Sequence, residues 1–127
     1  MADDRIIEWA SLLVQAEIRD YLEARRRFLR SANAKRLHDL RKAARRLSCS
    51  LQDFRGVVPT HKHKRLKGLI EITGQARDAA VLRERLKAAL DPLERETAAP
   101  MIRDLKERER DYLKRTRDAL KDVRFKA

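Results

Sequence analysis

The run from Lys35 to Phe54, KRLHDLRKAARRLSCSLQDF, reads as one helix with two faces of opposite character. At 100° per residue, Leu37, Leu40, Ala44, Leu47, Leu51 and Phe54 fall on one side. Lys35, His38, Arg41, Lys42, Arg45 and Cys49 fall on the other, with Arg46 at its edge. A solvated helix face ordinarily mixes charge signs, because opposite charges at i,i+4 support each other and like charges repel. A face this cationic becomes favourable when something anionic lies along it.

Charge across the chain repeats the message. The 127 residues carry 32 Lys plus Arg against 20 Asp plus Glu, a formal net charge of +12. Between Arg25 and Lys67 there are 15 basic residues and two acidic ones, Asp39 and Asp53; elsewhere 17 basic residues meet 18 acidic ones. The excess sits in one contiguous third, so the expected partners are anions: nucleic acid, polyphosphate or an acidic lipid surface. Hydrophobic residues make up 43% and recur at helical spacing, which argues against disorder. Cys49 is single and the N-terminus has no secretory pattern, so an intracellular, cytoplasmic protein is expected. The longest apolar run is far short of the roughly 20 residues that span a bilayer, which excludes membrane insertion.

Three Gly and three Pro fall where the periodicity breaks. A first helix is expected from Asp3 to Leu29, capped by Asp3 or Asp4, with a core stripe of Ile6, Ala10, Leu13, Val14, Tyr21, Ala24 and Phe28. Asn33 caps a second helix that runs to about Arg55, and Gly56 ends it. A Pro-containing loop over 57–60 leads to a third helix capped by Thr60, with Leu66, Leu69 and Ile70 inward. Gly74 either interrupts this helix or lets a neighbouring backbone approach; Ala79, Leu82, Leu86 and Leu90 continue its apolar pattern. A fourth helix spans Leu93 to Val123 with a kink at Pro100, or starts at about Ala99 with Pro100 in its first turn. Its inward positions are Ala98, Met101 or Ile102, Leu105, Tyr112, Thr116, Leu120 and Val123. No strand alternation is present, and the expected architecture is a single-domain, all-α, antiparallel four-helix bundle. Ile7, Trp9 and Leu12 lie outside the first helix's core stripe, and a second apolar face predicts a homodimer.

The segment His38-Asp39-Leu40-Arg41-Lys42-Ala43-Ala44-Arg45-Arg46-Leu47, ending in Leu51 and Phe54, resembles the HD[LM]RVxxRRLRxxLxxF signature of CHAD domains, the conserved histidine α-helical domains. Gly74-Gln75-Ala76-Arg77-Asp78-Ala79-Ala80-Val81-Leu82 resembles that family's LGxxRDxDVL segment. The resemblance implies a helical domain that binds inorganic polyphosphate through basic side chains, with an association with polyphosphate granules as one setting. It places His38, Arg41, Arg45, Arg46 and Arg77 at motif positions. Lys42 stands where the family often has Val, and Ala80 where it has the second Asp. A usual domain of this family is about twice as long and built from two similar halves, so the chain looks like one half, and a homodimer would supply the other.

The chemistry of such a site follows without the family. Polyphosphate has no base to stack and no edge to read, so it is held by repeated charge-assisted bonds. Arg offers a planar fork to two oxygens and Lys a point charge. Bound phosphate relieves the mutual repulsion of the stripe and should stabilise the fold. Neighbouring cations favour neutral His38 and phosphate favours its charged form, which predicts tighter binding at lower pH. Lys64 and Lys67 extend the candidate site from the third helix. Asp78 is expected to pair with Arg77 or to form an arch fixing that helix, and the run Arg25-Arg26-Arg27 with Arg30 reads as surface charge or a ligand-gathering rim.

The pair His61 and His63 lacks the Cys or carboxylate companions of a metal centre, and no metal or cofactor is expected. No nucleophile and base set, P-loop or paired carboxylate cluster is present, so the chain should bind rather than catalyse. Two alternatives to polyphosphate stand: a nucleic-acid-binding helical protein, and an assembly protein whose basic face docks an acidic partner or an anionic lipid. Against nucleic acid, Trp9, Tyr21, Phe28, Phe54 and Tyr112 map to apolar faces, leaving no aromatic platform for bases.

Overall fold

Capping chemistry and apolar spacing set the element boundaries. The computed structural model describes residues 4–56 and 62–125. Among these are five helices and no strand: α1 Asp4–Arg30, α2 Ala34–Asp53, α3 His63–Ala89, α4 Pro92–Thr97 and α5 Ala99–Leu120. Asn33 caps α2, its side chain accepting from the Arg36 N–H at 2.9 Å, as its amide chemistry at that position implies. Gly56 follows α2 with φ of 87°, a conformation that costs a glycine little. The expected caps Asp3 and Thr60, and the loop over 57–60, lie outside the described residues.

The second half of the chain decides between alternatives. The last long helix starts at Ala99, as the second of the two readings has it, and not at Leu93: Asp91 and Glu94 form a reciprocal capping box at 2.8 and 3.2 Å and start the short α4. The helix then breaks at Ala98, and α5 opens with Pro100 in its first turn, where a missing N–H costs nothing. Gly74 does not interrupt α3, which runs through it unbroken.

α1, α2, α3 and α5 pack as antiparallel neighbours in an all-α bundle, with α2 between α1 and α3. Val14, Tyr21 and Phe28 of α1 meet Leu40, Ala44, Leu47 and Leu51 of α2 and Leu66, Leu69 and Ala76 of α3. The chain end closes the bundle: Leu120 and Val123 are buried, and the Tyr21 hydroxyl donates to the Val123 carbonyl at 2.7 Å. Burial pushes the Tyr21 phenol far above its ordinary range, so it remains a donor. Phe125 stands edge-on to the Tyr21 ring at 5.7 Å.

The apolar stripes are right where three helices surround them and wrong where they do not. Ile6, expected in the core, is half exposed at the free start of α1. Leu82 is 54% exposed and Leu86 and Leu90 are only partly buried, because α2 begins at Ala34, level with Ala80 of α3 and Leu113 of α5. Beyond that level α3, α4 and the start of α5 project as an arm with Leu93 and Met101 on its surface.

Candidate functional site

The cationic face of α2 points away from the core, so its flanks are formed by α1 on one side and α3 on the other. An open groove of about 670 Å³ runs along it, lined by His38, Arg41, Lys42, Arg45, Arg46 and Cys49 with Ser50 and Glu17. Toward α3, Arg45 and Cys49 share a depression with Ser48, Lys67 and Ile70. At the other end His38 and Arg41 meet Arg77. Lys67, Ile70, Gly74 and Arg77 follow each other at alternating three and four residue spacing, which places them in one row on the α3 wall.

Gly74 sets the depth of this wall. A Cβ there would lie 3.5 Å from Arg41 Nη2 and 3.7 Å from Nε, so the Arg41 guanidinium occupies the space that the glycine leaves open. Its Nε is buried without a hydrogen-bond partner. Arg77 Nη1 donates to His38 Nδ1 at 3.0 Å. Arginine only donates, so His38 Nδ1 is the acceptor and its proton sits on Nε2. The expected Arg77 to Asp78 pairing is not formed; Asp78 is exposed, and α3 is fixed to α2 through His38 instead.

At the start of α3, His63 Nε2 and the Ser48 hydroxyl are 3.0 Å apart, tying the first turn of α3 to α2. Desolvation first, then Lys67 and Arg55, hold the His63 imidazole below the ordinary histidine range, against the opposing pull of Ser48. His61 lies outside the described residues.

The α1 wall has the opposite sign. A second groove of about 260 Å³ between α1 and α2 brings Glu17, Asp20 and Glu23 against Arg36, Lys42 and Arg46. Lys42 and Arg46 thus border both grooves, while His38, Arg41 and Arg45 do not line the one between α1 and α2. Glu17 borders both, and its Oε2 is buried with no hydrogen-bond partner. Its signal was in the sequence: Ala10, Val14, Glu17, Tyr21, Ala24 and Phe28 keep a four-three register, and Glu17 is the one charge in it. Glu23 accepts from Arg26 and Arg27, and these bonds lower its carboxyl to about 2.

Part of the arginine excess is structural. Arg25 donates twice to the Leu120 carbonyl at the end of α5, and Arg36 and Arg117 donate to carbonyls in the last turn of α1. Arg26 and Arg27 pair with Glu23, and Arg27 lines the groove between α1 and α2. Lys35 and Lys64 are exposed on the outer surface and line none of these grooves. Lys67 and Arg77 do face α2. Among the described residues no group of three or more His, Cys, Asp or Glu could hold a metal ion, and no helix is long and apolar enough to cross a membrane.

Fold and site together define an all-helical protein with a cation-lined groove between two of its helices. The CHAD domain profile matches residues 12–127, and the chain belongs to that family. The family is associated with polyphosphate binding and is generally a binding domain. Among curated proteins and solved structures none matches the chain.

Proposed function

We propose that this protein binds inorganic polyphosphate, without catalysis, in the groove between α2 and α3. The observation that carries the reading is the set of unpaired or single-bonded cationic groups along the two walls: Arg41, with its buried, unpartnered Nε, and Arg45 on α2, Lys67 and Arg77 on α3. These groups are directed at a thin, repeating, acceptor-only chain, which polyphosphate is. Residues 38 to 45 rise about 10 Å along α2, enough for several consecutive phosphates, and Lys42 and Arg46 hold the far side of the chain. Neutral His38 supplies an Nε2–H to a phosphate oxygen while its Nδ1 orients Arg77. Lys35 and Lys64 act at a distance, gathering the ligand.

The acidic α1 wall supports polyphosphate over duplex nucleic acid. A duplex presents phosphates across a broad surface and would bring some of them against Asp20 and Glu23 as well as Glu17, whereas a single phosphate chain on α2 and α3 meets Glu17 alone of these. The test is competition at about 150 mM salt, where diffuse attraction is largely screened. Long-chain polyphosphate is expected to displace labelled DNA, and equal affinity for the two sinks the reading. Changing Arg41 and Arg45 to Glu should lower polyphosphate affinity at least about tenfold with helicity retained, two charge-assisted bonds being lost. The same change at the exposed Arg110 and Arg115 should have little effect.

The same reading includes a second copy of this chain on the start of α1. Ile6, Ile7, Trp9 and Leu12 are exposed there and give such a copy an apolar face to cover. A cytoplasmic location with polyphosphate as the bound anion fits this function.

A further inference from the structure

The cationic groove ends, at the start of α2, in a cavity that polyphosphate cannot use. Its volume is about 130 Å³, and three helices enclose it. His38, Arg41 and Arg77 stand at its mouth, shared with the phosphate groove. Its walls are apolar: Leu37 from α2, Ala80 and Val81 from α3, Leu113 from α5. Two carboxylates, Glu84 and Glu109, complete it. Arg83 holds Glu109 through Oε2 at 2.9 Å, which fixes that carboxylate in place, and an ionised carboxylate retains further lone pairs with which to accept.

Inward of the mouth, each component repels or ignores inorganic phosphate. Apolar walls offer a phosphate chain no hydrogen bonds, and the carboxylates repel it. The same components suit a neutral, planar ring bearing N–H donors. Size agrees: a dry cavity of about 150 Å³ accepts a benzene ring, so this one takes one six-membered ring, and the five-membered ring of a purine, which carries the sugar, stays at the mouth. A ring joined to phosphates that reach Arg41 and Arg77 is a nucleoside polyphosphate.

We propose that the cavity binds the base of a nucleoside polyphosphate whose phosphates lie on Arg41 and Arg77. The base inserts between Leu37, Val81 and Leu113, with Ala80 small enough to leave it room. An exocyclic amino group donates to Glu84 or Glu109, so adenine and cytosine suit the cavity better than uracil, whose carbonyl oxygens would face carboxylates. The proposal rests on the phosphate-binding reading of the groove and adds a second ligand class to it.

Titration calorimetry in buffer free of divalent cations compares ATP, UTP and inorganic tripolyphosphate, which have the same number of phosphates. ATP is expected to bind about tenfold tighter than tripolyphosphate, the gain that burying a ring brings, and tighter than UTP. Ala80→Leu fills the cavity and should bring ATP to the tripolyphosphate level while long-chain polyphosphate binds as before. Glu84→Ala, at an exposed position where folding is not at stake, should erase the preference for ATP over UTP. ATP binding no tighter than tripolyphosphate overturns the proposal, as does an Ala80→Leu variant that loses both ligands equally while remaining folded. If long-chain polyphosphate binds and ATP shows no gain, only the base cavity is refuted; if neither binds, the groove reading itself fails.

Discussion

Arg41 and Gly74 act as one device. Arg41 reaches across to α3, and Gly74 is the position at which α3 gives it room, with no side chain between the guanidinium and the helix surface. A methyl group at 74 would make an ordinary contact at 3.5 Å, so Gly74→Ala should leave binding intact. A larger side chain takes the guanidinium's space. Gly74→Leu is therefore expected to weaken polyphosphate binding about as much as Arg41→Ala. Its thermal midpoint should not fall, since leucine favours a helix interior over glycine by about 0.8 kcal/mol. Binding isotherms and melting curves of the same samples separate the two effects. Unchanged affinity in Gly74→Leu would mean that Arg41 does not work from this position. The cationic identity of residue 41 was legible in the sequence, because the 100° spacing puts it on the charged face. Its lodging against Gly74 was not, because that depends on how deeply α2 and α3 interdigitate, which no single-helix pattern encodes. Glu17 is legible as a charge in an apolar register, but not which groove its carboxylate borders, since that depends on how α1 and α2 pack.

At the scale of elements, the helix hairpins are held by a few specific ties. Ser48 and His63 join the first turn of α3 to the last half of α2, where Thr60 was expected as the cap and the described helix starts without a side-chain cap bond. Every charged group that bears on His63 in this region is a cation: Lys67 on its own helix and Arg55 after α2. In the unfolded chain this histidine takes up a proton near its ordinary value of about 6.5, while in the folded chain it does so at lower pH. Its contribution to stability is therefore fully present above about pH 6.5 and declines as pH falls from there through the folded value. Denaturant melts should show His63→Gln losing less stability than the parent protein between about pH 7 and pH 5. Parallel losses would exclude His63 as the source. The long helices themselves were readable from spacing and caps, Asn33 most clearly. Leu82, Leu86 and Leu90 were read as core because their spacing is helical, but spacing records only that a face is apolar. It does not record whether another helix reaches that level, and α2 starts too low to cover them.

For the molecule as a whole, the distribution of charge decides where a second copy could sit. Two chains of net charge +12 repel, and the repulsion is concentrated on the third between Arg25 and Lys67. The start of α1 carries only Asp4, Arg5 and Glu8 among its ionisable residues, so this end is close to neutral. It is also where Trp9 and Leu12 are 61% and 59% exposed, with Trp9 edge-on to Phe54 at 5.8 Å rather than enclosed. A two-fold contact there would use each patch twice, and burying a large apolar side chain fully is worth about 1.5–3 kcal/mol. The distant basic faces oppose association through a field that falls off over about 8 Å at physiological salt. Light scattering should accordingly give a mass twice that of one chain at micromolar concentration and about 150 mM salt, shifting toward monomer at low salt as screening is removed. Bound polyphosphate should reverse that shift, because it neutralises the repelling faces without touching the apolar patch. Trp9→Glu with Leu12→Glu should give a monomer that keeps its helical circular dichroism and still binds polyphosphate. A parent protein that stays monomeric at every salt concentration, with and without polyphosphate, would leave the exposed end of α1 without a twin.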